Sequence, residues 1–189
     1  MNIKAIVVAL GLASMGMQAS LPAVAGEASG ESLQAIAALD VPRYMGTWYE
    51  IAKYPNWFQK KCVSDTRAEY SLQPDGRVQV INRCREDNGE MSQAFGIARQ
   101  IGAADSPRLE VRFAPAWLSF LPMVWGDYWV IDLDPDYQLV AVSEPEREYL
   151  WVLSRTRKVD AKAYEALLNR LAARGFDLGK LERTQQEAD

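Results

Sequence analysis

The chain has 189 residues, of which 49% are hydrophobic and 24% charged, and its formal net charge is −4. This composition is typical of one globular domain with a sizeable core and excludes a disordered chain. It also argues against nucleic-acid binding, because phosphate recognition needs a basic patch. The chain has no histidine, which excludes a cysteine–histidine catalytic pair and the usual zinc sites. We therefore expect no metal and no cofactor.

The first 25 residues resemble a secretory signal peptide. Lys4 supplies a positive start, residues 5–15 form an uncharged and mostly apolar segment, and Ala23-Val24-Ala25 fits the small-residue cleavage pattern. A buried first helix is the alternative. Cleavage would leave 20 basic and 25 acidic residues, a net charge of −5. The prediction is an exported, periplasmic protein. Because no cysteine lies near the cleavage site, any association with the outer membrane is expected to occur without a lipid anchor.

The two cysteines, Cys62 and Cys84, are expected to form a disulfide, because export would place them in an oxidising compartment. Two free thiols are the alternative. The expected strand register does not place the two cysteines opposite each other. A two-residue turn at Asp75-Gly76 would place Arg67, not Cys62, opposite Cys84. A bulge, or a loop that folds back, must then absorb the offset.

Period-two patterning begins at Thr47, after an N-terminal arm at residues 26–39 that we expect to be loose. An Asp-Gly pair between the second and third strand-like segments is a strong hairpin signal. About eight strands in simple succession predict an antiparallel barrel or sandwich. The segments are TWYEIAKY (47–54), TRAEYSL (66–72), RVQVINRC (77–84), SQAFGIARQ (92–100), RLEVRFAP (108–115), DYWVIDLD (127–134), QLVAVSE (138–144) and EYLWVLSRT (148–156).

A single amphipathic helix is predicted after the strands. Asp160 is a suitable N-cap, and Gly175 is a natural stop. A helix with one apolar face must pack on something, most simply the outside of the sheet. Residues 184–189 are expected to be a frayed tail. The apolar stripe of the helix consists of Tyr164, Leu167, Leu168 and Leu171.

Three segments, in this order, resemble the bacterial members of the lipocalin family: GTWYEIAKYP (46–55), GDYWVIDLDPDYQLVAV (126–142) and YLWVLSRT (149–156). The resemblance covers nearly all of residues 40–183. It implies an all-β fold with one C-terminal helix, namely an eight-stranded antiparallel up-and-down barrel that holds one small ligand. It also implies that Trp48 closes one end of the barrel with Arg155 packed across it, and that Gly46 has a structural role beside them.

The direction of the side chains follows if Trp48 and Arg155 both face the barrel interior. Alternation then points Glu50 and Ala52 inward. It points Tyr49, Ile51, Leu150 and Val152 outward, under the helix. The predicted ligand-contacting wall is Trp151, Leu153, Leu109, Val111, Phe113, Val78 and Val80. An ordinary packed core without a cavity is the alternative.

Residues 113–126, FAPAWLSFLPMVWG, form a segment without a single charge, which we call the apolar loop. It is too short to span a bilayer. Up-and-down order places it at the end of the barrel opposite Trp48; we call these the open end and the closed end. The loop could cover a ligand, contact a membrane surface, join a second copy in a homodimer, or fold inward over the core. Six residues are predicted to surround the opening and to contact the ligand there: Trp57, Phe58, Trp117, Leu118, Phe120 and Trp125.

The leading functional prediction is a non-enzymatic protein that stores or transports a fatty acid or lysophospholipid, for maintenance of envelope lipids. A carboxylate head group should lie near Lys53, Lys60 and Lys61, since Glu50 inside the barrel would repel it. Two alternatives stay open: a chaperone-like protein that binds outer-membrane proteins, and an enzyme of the kind that a few lipocalins are.

Overall fold

The computed structural model describes residues 32–187. The predicted signal peptide, the first part of the arm and the last two residues lie outside this range. The strands are β1 (Gly46–Lys53), β2 (Cys62–Leu72), β3 (Val78–Glu86), β4 (Met91–Gln100), β5 (Arg108–Arg112), β6 (Gly126–Leu133), β7 (Leu139–Ser143), β8 (Leu150–Ser154) and β9 (Glu182–Arg183). The α-helices are α1 (Val41–Tyr44) and α2 (Ala161–Ala173), and short 3-10 turns lie at Ala116–Leu118, Pro122–Val124 and Leu178–Lys180.

The first eight strands form a closed antiparallel barrel. Each strand from β2 to β7 pairs with the strand that follows it, and β1 pairs with both β8 and β2. The predicted up-and-down barrel with one main C-terminal helix is therefore confirmed. Successive connections alternate between the two ends, so the apolar loop and the β1–β2 connection both lie at the open end.

Two hydrophobic clusters divide the core. The inner cluster lies inside the barrel and includes Trp48, Val80 and Val142. The outer cluster lies between the barrel wall and α2, where Ile51 and Val152 pack with Leu167 and Leu171 of the helix. The predicted position of the helix is thus correct. A bidentate ion pair from Arg170 to Asp132, with distances of 2.7 and 2.8 Å, also holds α2 to β6.

A bulge in β1 corrects one inward assignment. Glu50 pairs with Leu153 and Ala52 with Val152, so Ile51 is the extra residue between them. Because a bulge breaks the alternation, Ala52 belongs to the outer cluster and does not face the interior as predicted. Glu50 keeps its predicted inward direction.

The C-terminal tail is ordered as far as residue 187, contrary to the expectation of fraying. β1 pairs with β2 only over Gly46–Tyr49, and beyond the bulge β9 takes the place of β2 beside Ala52 and Lys53. On the β2 side of the tail, the amide of Asp65 donates a hydrogen bond to the carbonyl of Gln185 at 2.9 Å. The tail fills the gap between the two strands because their exposed backbone groups need hydrogen-bond partners.

The described part of the N-terminal arm also packs closely, so the expected looseness does not hold for it. Leu33 and Leu39 are buried, in the outer and inner clusters respectively. The amide of Ile36 donates to the carbonyl of Val130 at 2.9 Å. The arm leads into α1, capped by Asp40, a helix that the sequence analysis did not predict.

Cys62 and Cys84 form the predicted disulfide, with 5.4 Å between their Cα atoms. The predicted register was wrong by one residue: Arg67 lies opposite Arg83, because the β2–β3 turn is a three-residue loop closed by a hydrogen bond from the Gln73 amide to the Arg77 carbonyl. Register shifts on either side of Ser64 place Cys62 opposite Glu86, two residues from Cys84, and thus supply the bulge that the offset required.

Candidate ligand site

The closed end is sealed by Trp48 and Arg155. The indole is fully buried, and the guanidinium carbon lies 4.0 Å from its ring centroid. The guanidinium of Arg155 donates hydrogen bonds to the backbone carbonyls of Thr47, Arg43 and Tyr137, at distances of 2.9–3.3 Å. Desolvation lowers the pKa of Arg155. The guanidinium therefore acts as a structural seal, with three of its five N–H groups bound to backbone carbonyls.

Gly46 makes room for this seal. Its φ of +96° suits glycine, and a Cβ built there would lie 3.3 Å from Nη1 of Arg155. A side chain at this position would strain the backbone and press on the guanidinium. The structural role expected for Gly46 has a physical basis in this geometry.

The predicted wall residues lie at two levels of burial. Val78, Val80, Leu109 and Leu153 are buried in the inner cluster. Val111 and Trp151 pack against the same cluster but are only partly buried. Val111 and Trp151 also point inward, so the inner wall is less completely covered at these two positions than at the other four.

Phe113 continues this wall beyond the end of β5. It is 45% exposed, and two of its ring carbons lie 2.8 Å from the position that a Cβ of Gly96 would take. Gly96 faces inward, opposite Val80. The absence of a side chain at Gly96 thus allows the aromatic ring to approach the inner face of β4 closely.

Four aromatic side chains form a cluster beside the opening. The ring of Tyr149 stacks on Trp151 at 5.7 Å, and Phe58 contacts both, with centroids 5.7 and 6.2 Å away. Trp57 packs edge-on against Phe58 and is 70% exposed. The structure therefore brings the predicted residues Trp57, Phe58 and Trp151 together, and adds Tyr149.

A buried carboxylate lies beneath this cluster. Glu50 is 2% exposed and accepts hydrogen bonds from Gln59 Nε2 at 2.7 Å and Thr184 Oγ1 at 2.5 Å. The Gln59 side-chain oxygen in turn accepts the Trp151 indole N–H at 3.0 Å. Desolvation raises the pKa of Glu50, while these hydrogen bonds and the charge of Lys53 oppose the rise. The expectation that Glu50 pairs with a polar neighbour is correct.

The three lysines predicted near the head group differ in their surroundings. Lys53 is largely buried and forms an ion pair with Glu182 at 3.3 Å. Lys60 and Lys61 are exposed on the β1–β2 connection, and neither makes an ion pair with any other residue of 32–187. These two lysines are the available cations.

The apolar loop exposes most of its large side chains. Trp117, Phe120 and Met123 are 72%, 73% and 86% exposed, while Leu118 is half-buried. The loop is closed on itself by hydrogen bonds between its own backbone groups, such as that from the Leu121 amide to the Leu118 carbonyl. It therefore does not fold inward over the core.

Trp125 does not join the barrel interior, where a ligand-contacting residue would be expected. Its ring centroid lies 4.1 Å from the Arg99 guanidinium carbon and 5.2 Å from that of Arg112. Both arginines lie on the outer face, because they alternate with the inward-facing Ala98 and Val111. Trp125 instead fixes the base of the apolar loop to the outside of the barrel.

Three tyrosines missed by the sequence analysis meet inside the barrel. The Tyr128 hydroxyl lies 2.8 Å from that of Tyr44 and 3.0 Å from that of Tyr70. Alternation alone could have placed two of them, because Tyr70 shares a face with Ala68 and Tyr128 with Val130. Tyr44 could not be found in this way, since it comes from the unpredicted helix α1.

Neither a metal cluster nor a membrane-crossing helix is found in the part of the chain that the structure describes. Residues 32–187 contain no group of three or more His, Cys, Asp or Glu side chains placed to hold a metal ion. Within the same range, no helix has the length and apolarity needed to cross a bilayer. The acidic pair Asp134 and Asp136 lies in the β6–β7 turn, where Asp134 accepts hydrogen bonds from backbone amides of that turn.

Comparison with known proteins agrees with this geometry. A family model for the lipocalin-like domain matches residues 39–186. The chain is 41% identical over 158 residues to temperature-induced lipocalin-1 of Arabidopsis thaliana, which spans 82% of this chain and 84% of that protein. It is 38% identical over 148 residues to the outer membrane lipoprotein Blc of Escherichia coli K12, spanning 78% of this chain and 79% of that protein.

A solved structure supports the fold independently. Insecticyanin from the tobacco hornworm Manduca sexta superposes with a TM-score of 0.63 at 17% sequence identity, over 81% of this chain and 84% of that one. Lipocalins bind small hydrophobic ligands, and in general they are binding and transport proteins. With the matched family model, the identities above 30% and the closed eight-stranded barrel, the chain belongs to the lipocalin family.

Proposed function

We propose that this lipocalin binds a single fatty acid or lysophospholipid in the barrel, with the acyl chain inside and the head group at the open end. The observation that carries the proposal is the line of partly exposed, inward-facing apolar side chains, Val111, Phe113 and Trp151, above a sealed floor. An apolar pocket with few polar groups is the usual form of a site for such a ligand.

The polar groups favour a head group outside the barrel. Glu50 lies on the inner wall and would repel a carboxylate or phosphate close to it. Lys60 and Lys61 are exposed at the open end. A surface depression of about 370 Å³, lined by Lys60 together with Lys53, Trp57 and Glu182 among others, provides room for a polar group.

Native mass spectrometry of the protein purified without detergent tests this proposal. We expect one lipid adduct per chain, removable by delipidation and restored by an added saturated fatty acid. A delipidated protein that takes up no fatty acid in a titration would contradict the proposal. Binding of many lipids without saturation would favour a chaperone-like surface instead.

We also propose that the open end contacts a lipid surface during loading. Trp117, Phe120 and Met123 are more than 70% exposed and make a contiguous sequence segment with no charge. Monomeric soluble proteins rarely expose such a set unless it marks an interaction site. The connections at this end also carry charges: the acidic residues Asp87, Glu90, Glu144, Glu146 and Glu148 outnumber the basic residues Lys60, Lys61 and Arg147. This balance favours an uncharged membrane over an anionic one.

Vesicle sedimentation with phosphatidylcholine separates a membrane contact from a homodimer. The variant Trp117→Ser/Phe120→Ser/Met123→Ser should lose most vesicle binding, while the control Leu72→Ser/Ile101→Ser, which removes exposed apolar groups at the closed end, should keep it. A wild-type protein that ignores vesicles but dimerises through these residues would contradict the membrane contact. The predicted signal peptide and the outer-membrane relative support a location in the cell envelope.

A further inference from the structure

Three phenolic hydroxyls meet in the middle of an otherwise hydrocarbon core. Tyr44 reaches in from α1, Tyr70 from β2 and Tyr128 from β6. Their neighbours in the inner cluster are aliphatic and aromatic side chains such as Val130, and Tyr44 and Tyr70 are 3% and 8% exposed. Phenylalanine would fill the same space without the cost of removing a hydroxyl group from water.

The hydrogen bonds between these hydroxyls leave one proton unused. Each hydroxyl carries one proton, and two contacts link the three oxygens, Tyr44 to Tyr128 and Tyr70 to Tyr128. Whichever way the protons point, one O–H is not donated within the cluster. None of the three hydroxyls has another hydrogen-bond partner in residues 32–187. One O–H of the cluster is therefore available to donate to a further acceptor.

Tyr128 is the least buried of the three tyrosines. It is only partly buried, and it points inward because it alternates with the outward-facing Trp129. Leu109, one of the predicted wall residues, lies directly opposite it on β5. A ligand that fills the barrel therefore reaches this side of the cluster.

The cluster suits an uncharged oxygen better than a carboxylate. Burial raises the pKa of all three tyrosines, that of Tyr70 to about 12, so the hydroxyls stay neutral. The nearby cation, Arg155, lies against Trp48 and directs three of its five N–H groups to the backbone carbonyls of the closed end. A carboxylate at the cluster would lose its water and be offered neutral hydroxyls as its direct partners.

We propose that the hydroxyls of Tyr44, Tyr70 and Tyr128 form a hydrogen-bonding subsite for an uncharged hydroxyl or carbonyl oxygen carried near the far end of an acyl chain. The inference rests on the proposed function, since it assumes that the chain enters with its head group last. It refines that function by naming a preferred class, oxygenated acyl chains over plain ones.

A titration with paired ligands tests the subsite. Saturated fatty acids of increasing length are compared with their ω-hydroxy counterparts of the same length. In a purely apolar barrel, the buried hydroxyl should weaken binding at least about fivefold at every length. The subsite predicts one chain length at which the hydroxy acid binds at least as tightly as the plain acid.

The variant Tyr128→Phe removes the central hydroxyl. It should weaken binding of that hydroxy acid about fivefold or more and leave the plain acid within about twofold. Tyr49→Phe, on the outer face, is the matched control and should change neither. Tyr70→Phe replaces Tyr128→Phe if the latter does not fold.

The outcomes separate the two proposals. If plain acids bind and the hydroxy acid is weaker at every length, the subsite is wrong and the lipid-binding function stands. An equal loss for both acids in Tyr128→Phe also overturns the subsite, because it indicates a general packing defect. If no plain acid binds, the proposed function itself fails, and the subsite with it.

Discussion

The side-chain amide of Gln59 donates a hydrogen bond to Glu50 at 2.7 Å, while its oxygen accepts the indole N–H of Trp151 at 3.0 Å. One residue of the β1–β2 connection thus links a buried carboxylate on β1 with the aromatic wall on β8. Thr184, from the C-terminal tail, completes the contacts of the carboxylate. The open end is therefore held together by polar contacts that the hydrophobic pattern does not reveal.

Gln59→Ala should lower the free energy of unfolding by about 1–3 kcal/mol, because it removes a hydrogen bond from a buried carboxylate and leaves the Trp151 N–H without its partner. Urea unfolding followed by circular dichroism measures the change. Gln93→Ala is the control, since Gln93 is exposed and bonds only to Arg83. Equal effects of the two substitutions would show that the Gln59 contacts add nothing to stability.

Glu50 should make the stability depend on pH in a defined direction. Because burial raises its pKa, the native state holds this proton more tightly than the unfolded chain does. The resulting stabilisation is complete below the ordinary pKa of about 4.3 and is lost as the pH rises through the raised native pKa. Wild type should therefore lose stability relative to Glu50→Gln over this pH range.

The comparison with Glu50→Gln cancels the other titrating groups. Asp65 has the opposite sign: desolvation would raise its pKa, but hydrogen bonds from the Glu187 amide, Arg85 and Ser64 hold it below the ordinary value. Its stabilisation is present above that ordinary value and is lost as the pH falls. Urea midpoints for both proteins at several pH values give the difference. A difference that is constant with pH would rule out the raised pKa of Glu50.

Arg155→Ala should lower the free energy of unfolding by about 1–3 kcal/mol and leave one ligand bound per barrel. The substitution uncovers Trp48 and removes the guanidinium from three backbone carbonyls. Arg108→Ala is the matched control, because its guanidinium lies 4.4 Å from the Trp129 ring on the exposed outer face. A stable Arg155→Ala protein that cannot bind lipid would place Arg155 in the pocket.

Reducing the disulfide should cost about 3 kcal/mol of stability, the value that the chain-entropy relation gives for a sequence separation of 22. Cys62→Ser/Cys84→Ser measures this without a reductant. Because Cys62 begins β2 directly after the β1–β2 connection, lipid affinity should also fall. A double variant as stable as wild type would contradict the predicted contribution.

The barrel could be predicted from sequence because its signals are local. Alternating residues such as Val78 and Val80, the Asp75-Gly76 turn and the Asp160 cap each act over a few positions. The three segments that resemble lipocalins then predicted the contact between Trp48 and Arg155 at the closed end. The outward direction of Ile51 also predicted which side of the barrel α2 covers.

The errors arise where local rules yield to tertiary contacts. The bulge after Glu50 turned Ala52 outward. The tail fills the resulting gap between β1 and β2, where the side-chain amide of Gln186 donates to the Glu50 and Thr66 carbonyls. The Trp125 ring lies on arginines of the outer face, and no sequence period encodes that contact. The tyrosine cluster joins three elements that are distant in sequence.

Trp151→Ala should weaken fatty-acid binding by about 1–3 kcal/mol, because it removes a large apolar wall beside the opening. Trp129→Ala is the matched control: it removes the same side chain from the outer cluster of the barrel. Isothermal titration calorimetry with one saturated fatty acid measures both. Comparable losses in the two variants would show that Trp151 acts through general stability.

The central claim is that an acyl chain is buried in this barrel, and the affinity for saturated fatty acids of increasing length tests it most directly. Each buried methylene should contribute about 0.8 kcal/mol before ordering costs, so binding should tighten severalfold per carbon until the interior is full and then level off, at one ligand per chain. An affinity that does not change with chain length would contradict burial of the chain and leave a barrel packed only with its own side chains.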